Sequence, residues 1–410
     1  MKALLLLALC AFLLLTCPVH AQPGDSGQLA IAGTDGNITL YDMAAGTTTP
    51  VTQDAVPGAS LYTWPTWAVD GQLAYFGANL VTVPPFRFGI FIRDTNGTTR
   101  RVYTSPDETF TYAHWSPGEC PLGNCRDLAV LYTTADQGLA VRRVRSLNGG
   151  ADYTVDEVAA GAPFYWDWSP DGQLMFWARF GRRLEIYDTT REEVIHTFKE
   201  TQGAQRSVDW SPVDDRLLST VRAANFTSNL VVFQGDERLV LAEGLAGNVV
   251  FEWSPDGSQV AYVDDSRGEL TFVTAETGAT VATLPGPALA FFWSPDGSQI
   301  AYLSFDTALD DIPARLAPQA IPTIQWYVYH VADGVTNRYA SFIPTRDMIY
   351  YLSFYDQFAH SHRLWSPDSR YLTYGEVRQD SGAVVSVIDT RTPGSPPQTI
   401  MEGTIGIFSW

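Results

Sequence analysis

Apolar positions along this chain come in short runs, and the runs repeat. Gln72-Leu-Ala-Tyr-Phe, Leu174-Met-Phe-Trp, Gln259-Val-Ala-Tyr-Val, Gln299-Ile-Ala-Tyr-Leu and Tyr371-Leu-Thr-Tyr are each too short for a helix and are bounded by turn residues. A second family of runs ends in a polar residue, as in Ile90-Phe-Ile-Arg-Asp, Leu184-Glu-Ile-Tyr-Asp, Leu270-Thr-Phe-Val and Val384-Val-Ser-Val-Ile-Asp. A more polar run follows, as in Thr99-Arg-Arg-Val-Tyr-Thr, which suits an exposed outer edge. The pattern predicts strands throughout.

What precedes each first run is a motif. Trp168, Trp253 and Trp293 each open Trp-Ser-Pro-Asp-Gly. Trp365-Ser-Pro-Asp-Ser and Trp210-Ser-Pro-Val-Asp-Asp are close variants, Trp115-Ser-Pro-Gly is interrupted, and Trp67-Ala-Val-Asp-Gly is degenerate. Ser-Pro-Asp-Gly is a tight turn: Pro presets φ, Asp bonds back to the backbone, and Gly takes the left-handed conformation. From Trp67 to Trp410 the Trp residues are spaced 48, 53, 42, 43, 40, 72 and 45 apart, the length of one four-stranded propeller blade. These residues resemble the TolB-like group of WD-type propeller repeats over nearly all of the chain. The resemblance implies a fold and leaves function open, because the group spans accessory proteins, binders and the propeller halves of peptidases.

The expected fold is therefore all-β, a single propeller of eight four-stranded blades, with seven as the alternative count. Asp25-Ser-Gly-Gln-Leu-Ala-Ile-Ala reads as the second half of a repeat that lacks its first strand, and Gly406-Ile-Phe-Ser-Trp410 as a first strand with nothing after it. Joining them would close the ring, with Trp410 as the eighth repeat Trp.

Composition adds compartment and charge. Met1-Lys2, the apolar run Ala3–Leu15 and Val19-His20-Ala21 read as a secretory signal over residues 1–21, leaving 22–410 as the propeller, secreted, periplasmic or at the cell surface. Cys17 offers a lipoprotein alternative. No other run approaches a transmembrane length. In an oxidising compartment the even pair Cys120 and Cys125 is expected to form a disulfide. Without Lys2 the chain carries 45 acidic and 25 basic residues, a net −20, which excludes nucleic acid and anionic lipid as natural partners.

Three stretches break the repeat, at about 78–88, 305–324 and 344–362, in loops that reach the same face of a propeller. The second holds Asp306, Asp310 and Asp311, a weak calcium signal without fixed ligand spacing. The third holds Tyr350, Tyr355, Asp356, Gln357, His360 and His362, aromatic and polar groups suited to a peptide, glycan or protein ligand. An insertion that packs on itself and plugs the channel is the competing reading. His360-Ser-His362 would place both imidazoles on one side of a strand, near Asp356, as a conceivable metal pair.

The chain carries no Gly-x-Ser-x-Gly, His-Glu-x-x-His, P-loop or dinucleotide motif. His114, Asp167, Asp209 and Glu252 recur just before the repeat Trp, which points to a structural hydrogen bond. The first expectation is a monomeric, non-catalytic binding or assembly module without cofactor. The alternative is a propeller hydrolase or lyase using carboxylate and histidine groups at the insertion-bearing face.

Overall fold

The computed structural model describes residues 26–80, 87–120, 123–148, 150–235, 237–305 and 323–410. They form eight antiparallel sheets, seven of four strands and one of three, with the Trp-bearing strand at one end of each four-stranded sheet that starts from a repeat Trp. Blades 2 to 7 open on the inner strands Ser60–Trp67, Thr109–Trp115, Phe164–Trp168, Asp209–Trp210, Val249–Trp253 and Ala290–Trp293. Outer strands are polar as expected: every residue of Thr47–Pro50 and of Glu193–Thr197 is exposed.

The repeat turn explains the motif residue by residue. In blade 6 the Ser254 amide donates to the Gln259 carbonyl at 2.9 Å, and the Ser254 hydroxyl donates to Asp256 at 2.6 Å and accepts from the Gln259 amide at 3.0 Å. Gly257 sits at φ 68°, a conformation that favours glycine. Blade 3 has the Cys120–Cys125 disulfide closing the loop that replaces this turn.

The ring closes as expected. Blade 1 is built from Gln28–Ala32, Ile38–Asp42 and Thr47–Pro50, and its fourth, inner strand is Ile405–Phe408 from the far end of the chain. One expectation is corrected. The residue opposite Leu29, where each other blade has its repeat Trp, is Phe408, not Trp410. Ser409 then plays the motif Ser: its amide donates to the Gln28 carbonyl at 2.8 Å and its hydroxyl accepts from the Gln28 amide at 3.0 Å. Trp410 lies two residues past the slot, donates its indole N–H to the Trp67 carbonyl at 2.7 Å and carries the Arg363 guanidinium on its ring at 3.6 Å.

Blade 8 departs from four strands. It has Tyr371–Arg378, Gly382–Asp389 and Gln398–Glu402, while its inner edge is met by two separate bridges, Pro344 to Glu376 and Trp365 to Leu372. The cause is the insertion, which splits the inner segment: the chain pairs at Pro344, leaves, and returns to register at Trp365. Of the three insertions, 344–362 is described; residues 81–86 of the first and 306–322 of the second, with Asp306, Asp310 and Asp311, lie outside the described residues, as does the proposed signal segment. No helix among the described residues is long and apolar enough to cross a membrane.

Candidate functional site

Neighbouring blades are tied at their inner strands in two alternating ways. In one, the repeat indole donates to the carbonyl just before the repeat position of the preceding blade: Trp67 to Ile407, Trp115 to Thr66, Trp168 to His114 and Trp365 to Phe292, at 3.0–3.3 Å. At blades 5 to 7 the indoles of Trp210, Trp253 and Trp293 make no such bond. There the preceding side chain takes over. Asp167 accepts from the Trp210 amide at 2.8 Å and Asp209 from the Trp253 amide at 2.9 Å, and Glu252 accepts from the Trp293 amide. The structural role expected of this position holds for these three carboxylates. Each aspartate uses one oxygen for the tie and keeps the other, Oδ1, for the channel axis.

What meets them is the insertion. Met348, Tyr351, Tyr355 and Phe358 recur at helical spacing, and the segment folds into α1 (Arg346–Ser353) and α2 (Tyr355–Phe358) with those four side chains buried. Thr345 caps α1 by accepting from the Met348 amide at 3.2 Å, and Asp347 sits in its first turn. The helices cross the ring and plug the channel. Phe358 packs against Trp64 of blade 2 and Tyr112 of blade 3, with ring centroids at 4.9 and 5.1 Å. Tyr355 contacts Phe291 and Phe292 of blade 7. The Gln357 carbonyl accepts from the Tyr112 hydroxyl at 2.8 Å, its side-chain amide donates to the Trp166 carbonyl of blade 4 at 3.4 Å, and Arg206 donates to the Ser353 carbonyl at 3.1 Å. Tyr350 reaches the Thr111 carbonyl at 3.4 Å.

The two histidines of the insertion part company. They lie in a turn, not on one side of a strand, which corrects the expected pairing. His362 is wholly buried; its Nε2 donates to Thr66 Oγ1 at 3.0 Å and its Nδ1 accepts from the Ser361 hydroxyl at 2.6 Å. Burial, with His114 nearby, pushes it down to about 3, so it stays neutral and structural. Replacing Thr66 by Val should leave that buried Nε2 unpartnered and cost about 1–3 kcal/mol, read from the urea midpoint; an unchanged midpoint would remove His362 from the structural account.

His360 instead enters the axis. Its Nδ1 is 3.4 Å from Asp167 Oδ1 and 3.9 Å from Asp209 Oδ1, and His114 Nδ1 lies 3.9 Å from the same Asp167 oxygen. The Asp167, Asp209 and His360 donor atoms all fall within 4.8 Å of one another, a spacing that suits a divalent cation. The electrostatics are those of a compressed charge cluster. Burial opposes the His360 charge, yet the Asp167 carboxylate, by charge and hydrogen bond, and then Asp209 and Glu252 carry it up to about 10. Burial raises Asp167, but His360 overrides this and holds it below the usual carboxylate range. Asp209 is pushed well above that range, by burial first and Asp167 after it. Burial lifts Glu252 to about 7 and Asp356 to about 6, against the pull of His360 on both. Glu252 and Asp356 line one narrow crevice with Phe291, Tyr355 and Ala359, too tight in this conformation to hold a water.

The insertion residues singled out from the sequence thus divide. Tyr350, Tyr355 and Gln357 anchor the plug, His362 pairs with Thr66, and only Asp356 and His360 join the titratable cluster. Sequence reasoning did not join His360 to Asp167 and Asp209, although it marked all three; no local spacing reports a contact made across the ring.

No protein-family model matches the chain, and no curated protein matches it. Among solved structures it is similar to a eukaryotic initiation factor, at 12% identity and TM-score 0.53 over 93% of this chain and 98% of that one. Others include the C-terminal WD40 domain of Sif2, at 12% identity and TM-score 0.47 over 81% and 84%, and a putative 6-phosphogluconolactonase from Bacteroides uniformis, at 13% and 0.44 over 93% and 99%. At such identity the first likeness speaks for the propeller fold alone, and the sheet order counts the blades: the chain is an eight-bladed β-propeller.

Proposed function

We propose that this protein is an exported propeller that carries out acid–base chemistry at its axis, in the hydrolase or lyase class. One observation carries the reading: carboxyl and imidazole groups from three blades and the plug converge there with displaced proton affinities. Glu252 at about 7 and Asp356 at about 6 line one crevice, beside a histidine held charged by two aspartates. Groups poised near neutrality in pairs pushed apart are what general acid and general base catalysis need. In this reading Glu252 is the proton acceptor, and the His360–Asp167 pair is the donor and electrostatic partner.

The test is turnover of a substrate panel by the mature chain, covering ester, glycosidic and phosphate hydrolysis and β-elimination of uronides. A true substrate should lose about 10²–10⁴-fold in kcat with Glu252→Gln, with KM little changed. Turnover that survives the substitution, or none across the panel, would defeat this reading.

A second reading, a binding module, has its own observation. On the face that carries the plug, Phe226 is wholly exposed and held at φ 61°, in the left-handed region, next to Asn225 at φ 57°. Ile349 and Phe354 of the plug are also exposed there. Apolar side chains displayed on one face suit a protein or peptide ligand. A pull-down lost on Phe226→Ser, with no turnover anywhere in the panel, would select it.

A further inference from the structure

The axial cluster has more donors than its own hydrogen bonds use. His114 is 4% exposed, and its Nδ1 has no hydrogen-bond partner although it sits 3.9 Å from Asp167 Oδ1. His360 Nε2 and Glu252 Oε2 are likewise buried and without a partner among the described residues. Buried polar atoms are satisfied in folded proteins, and orphans grouped around one point mark it as a polar site with donors to spare. A solvated acidic patch does not account for this group: the side chains of Asp167, Asp209 and His360 are 9%, 7% and 10% exposed.

We propose that the propeller axis is a binding site for a first-row divalent cation, with Asp167 Oδ1, Asp209 Oδ1 and His360 Nδ1 as ligands and His114 Nδ1 standing beside the Asp167 oxygen. Donor atoms around such an ion, at bonds of about 2.1 Å, stand roughly 3.0–3.4 Å apart. His360 Nδ1 stands 3.4 Å and 3.9 Å from the two aspartate oxygens and all three ligand atoms lie within 4.8 Å of one another, so the shell closes if they draw together by up to about 1.4 Å.

The donor set selects the ion. Two carboxylates with one or two imidazoles suit zinc or manganese, while calcium prefers an all-oxygen shell of six to eight ligands. The architecture supplies rigidity. Asp167 and Asp209 are each fixed by accepting the next blade's Trp amide through Oδ2, which aims Oδ1 at the axis, as outer hydrogen bonds aim the ligands of built metal sites. The plug delivers His360, so the site exists only when the insertion is seated. The proposal rests on the axial reading for its functional meaning; the ion would displace the His360 Nδ1 proton, so the charged histidine belongs to the metal-free chain, and binding can be measured without turnover.

The experiment uses the full mature chain, stripped with a chelator and titrated calorimetrically with ZnCl2, MnCl2 and CaCl2. One saturable site is expected, with calcium bound at least tenfold more weakly than zinc or manganese. At a hundredfold excess over Kd the preferred ion should raise Tm by about 3 °C. Asp209→Asn, which keeps an oxygen for the Trp253 amide, and His360→Gln should each weaken binding 10- to 100-fold. The exposed Glu237→Gln should not. Pulsed EPR of the manganese-loaded wild type adds a readout that needs no variant: imidazole nitrogen coupled to the ion. No saturable site, unchanged affinity in both axial variants, or manganese without nitrogen coupling overturns the proposal. Turnover in a chain that shows no saturable cation site would overturn the cation and leave the acid–base reading standing. A tight 1:1 cation with no turnover on any substrate would do the reverse.

Discussion

Truncating the chain before Gly406 should lower its melting temperature sharply and drive self-association. The deleted strand carries Ile407 and Phe408, both essentially unexposed, and the partner groups of Gln28 and of the Trp67 indole. Two buried side chains at about 1.5–3 kcal/mol each, with the strand's hydrogen bonds at about 1 kcal/mol apiece, put the loss on the order of 5 kcal/mol or more. It also bares Leu29, Ala30 and Ile31, an apolar strand edge ready to pair with another copy. The register supplies a sharper comparison. Phe408→Ala should cost about 3–5 kcal/mol, because Phe408 fills the repeat slot. Trp410→Ala should cost well under half of that, because Trp410 only latches onto Trp67 and Arg363 from the rim. Thermal melts of the two variants side by side decide it; a larger drop for Trp410→Ala would return the slot to the Trp.

That comparison marks where the sequence could be read and where it misled. Blade count, closure and the disulfide follow from local chemistry: each turn needs Ser, Pro, Asp and a residue tolerant of positive φ, and these are visible one repeat at a time. Matching on Trp put Trp410 in the slot. Matching on the Ser that follows would have placed Phe408-Ser409 over Trp-Ser, since the hydroxyl bonds back across the turn in blade 1 as in blade 6. The plug was legible in part. Its apolar residues recur with a helical period, but a run rich in Tyr and Phe amid strands reads as a loop. The axial cluster was the least legible. Gln357 meets Trp166 across 191 positions of sequence, and His360 meets Asp167 by the same crossing. Only the closed ring brings such residues together, so no pattern within one repeat could report them. The structural role expected of the carboxylates before Trp168, Trp210 and Trp253 matches their ties to the next blade; any second role depends on which oxygen the tie leaves over.

The axial charges should make stability fall on the alkaline side, and Asp167 should control how steeply. His360 is held at about 10 against an ordinary 6.5. A raised basic group contributes stability that is fully present below its unfolded value and is lost as pH climbs through its folded one. Between pH 7 and 10 the folded chain therefore keeps a proton that the unfolded chain has lost, and unfolding free energy should drop on the order of a few kcal/mol. Asp209, pushed up, acts in the same sense. Glu252, raised to about 7, gives up its contribution as pH reaches that value, before this window opens. His114 and His362, held at about 3, act in the opposite sense, with stability lost as pH falls from 6.5 toward 3, so they too lie outside it. Asp167→Asn keeps an acceptor for the Trp210 amide but removes the charge that holds the His360 proton. It should lower stability at pH 7 and flatten the alkaline decline. Asp167→Leu removes acceptor and charge together, strands both the amide and the imidazole, and should cost about 3–5 kcal/mol at pH 7. Urea midpoints taken from pH 6.5 to 10 read all three chains. An Asn variant whose midpoint falls with pH as steeply as the wild type's would mean that His360 is not charged by Asp167, and the axis would then be a hydrogen-bonded core with no proton to exchange.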